Sequence, residues 1–226
     1  MHRTPAQLGP REHNPPRDRF DDPEFVYRVR YFATALRGAM LEVLDHFRPN
    51  ADMEAAQSAI TVSDDLIDIL QEEPAGLVPE RWLSQQRLIC ASAPEAARFV
   101  DVTDSAVLAE LNQHPRVREV LSSELVRSTL GVAARLDEGT IRLVGPVGRA
   151  ISQAVSHIVY SDDAHFAGIT YQTRFQDGER CWAVFDDRVH VQFADLQALD
   201  ITEREHIATL NEVARLYGLT LPINWR

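Results

Sequence analysis

The residue types suited to chemistry in this chain are dispersed along it: a group of arginines near the N-terminus, Tyr31, Glu42 and Thr173. They form one coherent set. Guanidinium binds a dinucleotide pyrophosphate bidentately. An aromatic ring stacks on nicotinamide or adenine. A carboxylate stabilises the oxocarbenium-like state in which a glycosidic bond breaks, and a hydroxyl on a neighbouring strand holds a carboxamide or a ribose. Glu42 lies in "YFATALRGAMLEVLDHF" (31–47), where Leu36, Met40, Val43, Leu44 and Phe47 recur at helical spacing. At about 100° per residue Glu42 points away from the middle of that stripe, over Gly38 and Ala39 one turn earlier. Gly38 costs the helix roughly 1 kcal/mol relative to alanine. Such a cost beside a carboxylate fits space left for a ligand. It fits equally a solvated glutamate on a surface helix with Gly38 as a packing accommodation, and the residues alone favour that plainer reading.

Standard catalytic patterns are missing. The chain holds no G-x-S-x-G, no Walker-A lysine loop and no H-E-x-x-H. "GPVGRA" (145–150) reads as a turn and helix start rather than a phosphate loop, and "SDDAHF" (161–166) as a polar loop rather than a metal site. Cys181 sits in a strand-like run beside Trp182 and reads as core. With only Cys90 besides, no zinc site or disulfide framework is expected. The 226 residues, 45% hydrophobic, suffice for one large domain or two small ones. A net charge of −11 opposes broad nucleic-acid affinity. The N-terminus has no apolar signal core and no run is long enough to span a membrane, so a cytoplasmic protein is expected.

The elements that must position these residues are partly readable. Residues 1–20 carry four of the twelve prolines and read as an irregular lead-in. "EFVYRVRYFA" (24–33) reads as a strand, with Thr34 as N-cap of the helix carrying Glu42. Residues 50–87 suggest helix or turn pieces. "QRLICAS" and "RFVDV" read as strands, and Thr103 or Asp104 opens a helix over "TDSAVLAELNQ". Residues 115–140 read as helix and loop. "GPVGRAISQAVSHIVY" predicts a helix with Ile151, Val155 and Ile158 on one side. "GITYQTRF" and "ERCWAVF" predict a hairpin turning at Asp177-Gly178, a register that sets Thr173 opposite Trp182. "ITEREHIATLNEVARLYGL" predicts a last helix capped by Gly218. Strands and helices without βαβ alternation give an α+β class, with residues 21–226 as a single mixed domain.

These residues also carry a resemblance. The chain resembles the RES-domain family, named for an arginine, a glutamate and a serine, over nearly its whole length. The similar stretches are "RFDDP" (19–23), "RYFATALRGAMLEVLDHFRP" (30–49), "ARFVDVTDSAVLAEL" (97–111), "GRAISQAVSHIVY" (148–160) and "FAGITYQTRFQDGERCWAVFDD" (166–187). The last is close to a G-I-x-Y-x-S-R pattern and is the most specific. The resemblance implies a core like that of ADP-ribosyltransferases and diphtheria toxin. It implies a toxin of a bacterial toxin–antitoxin pair that consumes NAD+ as substrate, by phosphorolysis with inorganic phosphate or by hydrolysis, and needs no further cofactor. Some relatives instead transfer ADP-ribose to a protein. The implied partner is an antitoxin with an Xre-type helix-turn-helix, in a homodimer or a toxin–antitoxin hetero-oligomer, with no direct nucleic-acid or membrane contact. By resemblance the glutamate falls on Glu42, the aromatic on Tyr31, the arginine on Arg3 or Arg19, and the serine on Thr173. The last is a departure, since threonine keeps the hydroxyl but adds a methyl and stiffens χ1. That departure, with an N-terminus so close to Arg3, leaves an inactive RES-like binding module as a third reading.

Overall fold

The computed structural model describes residues 18–49, 76–174 and 178–225. Arg3, segment 50–75 and residues 175–177, with Asp177 of the expected turn, lie outside them. The fold is a mixed α+β arrangement. Its backbone groups into two compact units, a larger one of residues 2–34 and 89–195 and a smaller one of 35–88 and 196–226.

The larger unit is built on a four-stranded sheet in the order β1-β5-β4-β3. These strands are β1 (Val29–Ala33), β3 (Phe99–Asp101), β4 (Gly168–Gln172) and β5 (Arg180–Phe185). β5 runs antiparallel to β1 and to β4, and β3 runs parallel to β4. Strand alternation puts Tyr31, Ala183 and Ile169 in one cross-strand row, and Ala33, Cys181 and Tyr171 in the next. Ile169, Tyr171, Cys181 and Ala183 belong to the hydrophobic core, together with Ile151, Val155 and Val159 of the helix Gly145–Ser161, and the partly buried Tyr31 and Ala33 pack against it. Burying each such aliphatic side chain contributes roughly 1.5–3 kcal/mol. Cys181 is fully buried there, as its strand position predicts.

Local signals explain most of the helices. In α3 (Ser105–Gln113) the Asp104 carboxylate accepts the Ala106 and Val107 N–H groups, while Leu108 and Leu111 face the core. α4 (Pro115–Ser122), α5 (Glu124–Leu130) and the one-turn α6 (Glu138–Ile141) follow. α7 (Gly145–Ser161) starts at "GPVGRA", and Gly148 has a steric reason. A Cβ there would stand 2.0 Å from the Leu143 carbonyl oxygen, closer than any side chain tolerates. In the smaller unit α1 (Leu36–Leu44) packs on α8 (Arg204–Tyr217), which ends at Gly218 in the left-handed conformation. α2 (Glu80–Ser84) contributes the buried Leu83. β2 (Arg87–Ser92) pairs with β6 (Gln192–Ala198) as a two-stranded sheet.

Three expectations need correction. The first strand starts only at Val29, because Asp22 draws the preceding chain into a loop. Its carboxylate accepts the N–H groups of Glu24 (2.9 Å), Val26 and Tyr27 (3.1 Å), and Phe25 takes a positive φ of 58° that no strand allows. Thr34 does not cap α1. Its hydroxyl donates to the Arg180 carbonyl at 3.0 Å, prolonging the sheet, and Ala35 is the cap position without a side-chain bond. The β4–β5 register is also displaced: Thr170 stands opposite Trp182, and the Thr173 N–H donates to the Glu179 carbonyl at 3.1 Å. A two-residue turn at Asp177-Gly178 would pair Thr173 with Trp182; the observed pairing needs a longer connection.

Candidate functional site

Of the residues singled out from sequence, Arg19, Tyr31 and Thr173 share one neighbourhood in the larger unit. The Arg19 guanidinium packs against two rings that also touch each other, 5.0 Å from the centroid of Phe20 and 4.9 Å from that of Tyr171. It donates to the Ile141 carbonyl and, at 3.5 Å, to the Gln172 carbonyl. At 5% exposure it is a buried charge, used to tie the end of α6 to the end of β4.

Tyr31 stands on β1 on the core side. Its hydroxyl accepts the Phe20 N–H at 2.9 Å and donates to Asp21 at 3.0 Å. Burial drives its pKa well above the ordinary tyrosine value, and the nearby carboxylates of Asp21 and Asp18 push it the same way. The neutral form is therefore the one the fold selects. In the unfolded chain the group ionises near pH 10. From there upward the unfolded state gives up a proton that the folded state keeps, so stability falls with pH. The slope is about 1.4 kcal/mol per pH unit for each such tyrosine. Thermal melts from pH 8 to 11 are expected to show this decline, and Tyr31→Phe should make it shallower by one proton.

Thr173 is fully buried just past the end of β4, on the same side of the strand as Tyr171. Its carbonyl accepts a bond from Arg142 at 2.9 Å. Arg142 closes α6 and also pairs with Glu138 at 3.2 Å, one turn back. Two arginines therefore hold successive carbonyls of one strand end, Arg19 at Gln172 and Arg142 at Thr173. Sequence reading missed Arg142. It stands 31 residues from Thr173, and no local motif marks it. Arg174, next in the chain, keeps its Nε buried without a hydrogen-bond partner among the described residues.

Glu42 belongs to the smaller unit. It is half-buried on α1, whose buried side holds Gly38, Ala39, Met40, Leu41 and Leu44. The small residues thus lie inside the packing, and the buried face is turned towards Leu41 rather than Val43. The Glu42 carboxylate acts on Tyr217, whose hydroxyl donates to the Leu41 carbonyl at 2.9 Å. The Tyr217 pKa is raised by burial first and by the Asp45 and Glu42 carboxylates next.

A family model described as the RES domain matches residues 2–204. The chain belongs to the RES-domain family. That membership links it to a family associated with NAD+-acting toxins of toxin–antitoxin systems. No curated protein and no solved structure matches the chain. Among the described residues of this RES domain, no helix is long and apolar enough to cross a membrane.

Proposed function

We propose that this RES domain is an NAD+-degrading enzyme, the toxin of a bacterial toxin–antitoxin pair. The observation that carries the reading is the family match over residues 2–204, joined to a buried Thr173 at a strand end whose last two carbonyls, of Gln172 and Thr173, accept bonds from Arg19 and Arg142. In this reaction the bond between nicotinamide and its ribose breaks, nicotinamide leaves with the electron pair, and the positive charge left on the ribose is stabilised by the Glu42 carboxylate. An oxygen of phosphate or water then bonds to the same carbon, water giving up one proton to solvent. Tyr31, kept neutral, supplies a ring and a hydroxyl rather than a charge. Arg19 supplies positive potential from beneath the strand end, and Thr173 positions the substrate. NAD+ is the substrate, and no further cofactor is needed.

The test is NAD+ consumption by the purified full chain with and without inorganic phosphate. Free nicotinamide is expected in either reaction. ADP-ribose 1″-phosphate marks phosphorolysis and ADP-ribose marks hydrolysis. Label from NAD+ appearing on lysate proteins would favour the ADP-ribosyltransferase reading. Stable NAD+ under all three conditions would leave the inactive binding module. The proposed partner is an Xre-type antitoxin, and co-expression with a neighbouring helix-turn-helix protein is expected to relieve growth arrest.

A further inference from the structure

We propose that His157 is a positioning residue: protonated, it clamps the Asp22 loop that follows Arg19, Phe20 and Asp21, and deprotonated it releases that loop. The consequence for the reaction rests on the NAD+ reading above. Asp22 is a fully buried carboxylate whose oxygens accept the N–H groups of Glu24, Val26 and Tyr27. Such bonds lower the cost of burying the charge but bring no countercharge. Among the described residues, the one cationic group within reach is the His157 imidazole of α7, its Nδ1 4.0 Å from Asp22 Oδ1. That Nδ1 is buried and has no hydrogen-bond partner among the described residues. A neutral ring gains little there, because 4.0 Å is beyond a hydrogen bond and an unprotonated Nδ1 would turn its lone pair on the carboxylate. A proton turns the same contact into an ion pair in surroundings of low dielectric. The proton has a way in: the side chain is 20% exposed and lines an open cavity of about 450 Å3 between α7 and the start of α4.

The other charged groups around the imidazole do not replace it. From the loop, Glu24 pairs with Arg116 of α4, and its pKa is lowered by Arg116 first and to the smallest extent by His157. From α4, His114 spends its Nδ1 on the Arg116 N–H at 3.2 Å, and Glu119 lines the cavity. Asp162, just past α7, lines the cavity too, and its carboxylate accepts the Ala164 N–H at 2.7 Å. The loop is otherwise seated on α7 by uncharged bonds. The Tyr27 hydroxyl donates to Ser156 at 2.8 Å, and the Ser156 hydroxyl donates to the Phe20 carbonyl at 2.7 Å. The Phe20 N–H and the Asp21 carboxylate in turn hold the Tyr31 hydroxyl. A loop released at Asp22 therefore loosens the partners of Tyr31, one of the residues assigned to the substrate.

Amide hydrogen exchange of Val26 and Tyr27 in the full chain, followed from about pH 5.5 to 8 and corrected for intrinsic rates, tests the clamp. Both N–H groups end on Asp22. Their protection should fall about threefold or more as pH rises through the range in which an imidazole titrates, near about pH 6.5. His157→Gln should flatten the profile at the low level. His157→Lys, charged throughout, should flatten it at the high level. KM for NAD+ should rise as protection falls in the parent and lose that pH dependence in His157→Gln, a pattern that a histidine serving only as packing would not produce. The parent's pH profile of protection persisting in His157→Gln, or a flat profile in the parent, would overturn the clamp while leaving NAD+ turnover to stand. Protection that follows His157 in a chain that leaves NAD+ intact would keep the clamp and remove the enzymatic reading.

Discussion

Glu42→Gln is expected to lower NAD+ consumption about 10²–10³-fold, the usual consequence of removing one preorganised electrostatic group at a developing charge. The glutamine amide has nearly the same shape but cannot neutralise a ribosyl cation. The fold should survive, because the residues that seat α1 are Met40, Leu41 and Leu44, each at most 1% exposed, and none is altered. Removing the carboxylate also relieves one of the charges that disfavour ionisation of Tyr217, after burial and Asp45, so no new buried charge is created. The measurements are kcat for nicotinamide release and the melting temperature of the same preparation. A folded Glu42→Gln protein working at the parent rate would remove Glu42 from the mechanism. A variant that loses activity only because it melts would be recognised by its melting curve.

What could be read from sequence was what depends on near neighbours. Asp104 caps α3 because a carboxylate two and three residues before an N–H has little choice of partner. Gly218 ends α8 because a left-handed residue is needed there, and the apolar spacing of α7 announces the face carrying Ile151 and Val155. Cys181 and the α+β class followed in the same way. What escaped depends on distant partners. Thr34 has the right type for a cap, but the Arg180 carbonyl, 146 residues away, competes for its hydroxyl and wins. The hairpin register was inferred from a favourable Asp-Gly pair, whereas the pairing of Gln172 with Arg180 sets it. "GPVGRA" reads as a turn and helix start, as found, but the reason for glycine at 148 is the carbonyl of Leu143, which no local pattern shows. At the site, an arginine read from sequence carries no mark of burial. Only the folded structure reveals that the Arg19 charge is buried against the Phe20 and Tyr171 rings, and only the fold brings Arg142 to Thr173.

Thr173 offers the sharpest separation between a chemical and a packing role, and its surroundings make the two outcomes opposite. The residue is fully buried, so its hydroxyl is expected to be hydrogen-bonded. Its strand neighbour on the same side is Tyr171, and its backbone is held from both directions, the N–H by Glu179 and the carbonyl by Arg142. Neither backbone bond changes when the side chain does. Thr173→Ser removes one methyl, which costs roughly 1 kcal/mol of stability, but restores the serine that the family resemblance implies for this position. NAD+ turnover should be kept or raised while the melting temperature falls slightly. Thr173→Val keeps the shape and deletes the hydroxyl, leaving its partner unsatisfied at about 1–3 kcal/mol. If that partner is the substrate, the cost falls on the reaction, and turnover should drop by about tenfold or more with the melting temperature nearly unchanged. If Thr173 only fills space beside Tyr171, valine is tolerated in both assays and serine is the damaging change. Both variants measured side by side decide between these. Turnover surviving in valine and failing in serine would show that the position matters for its methyl, and the catalytic reading of Thr173 would have to be abandoned.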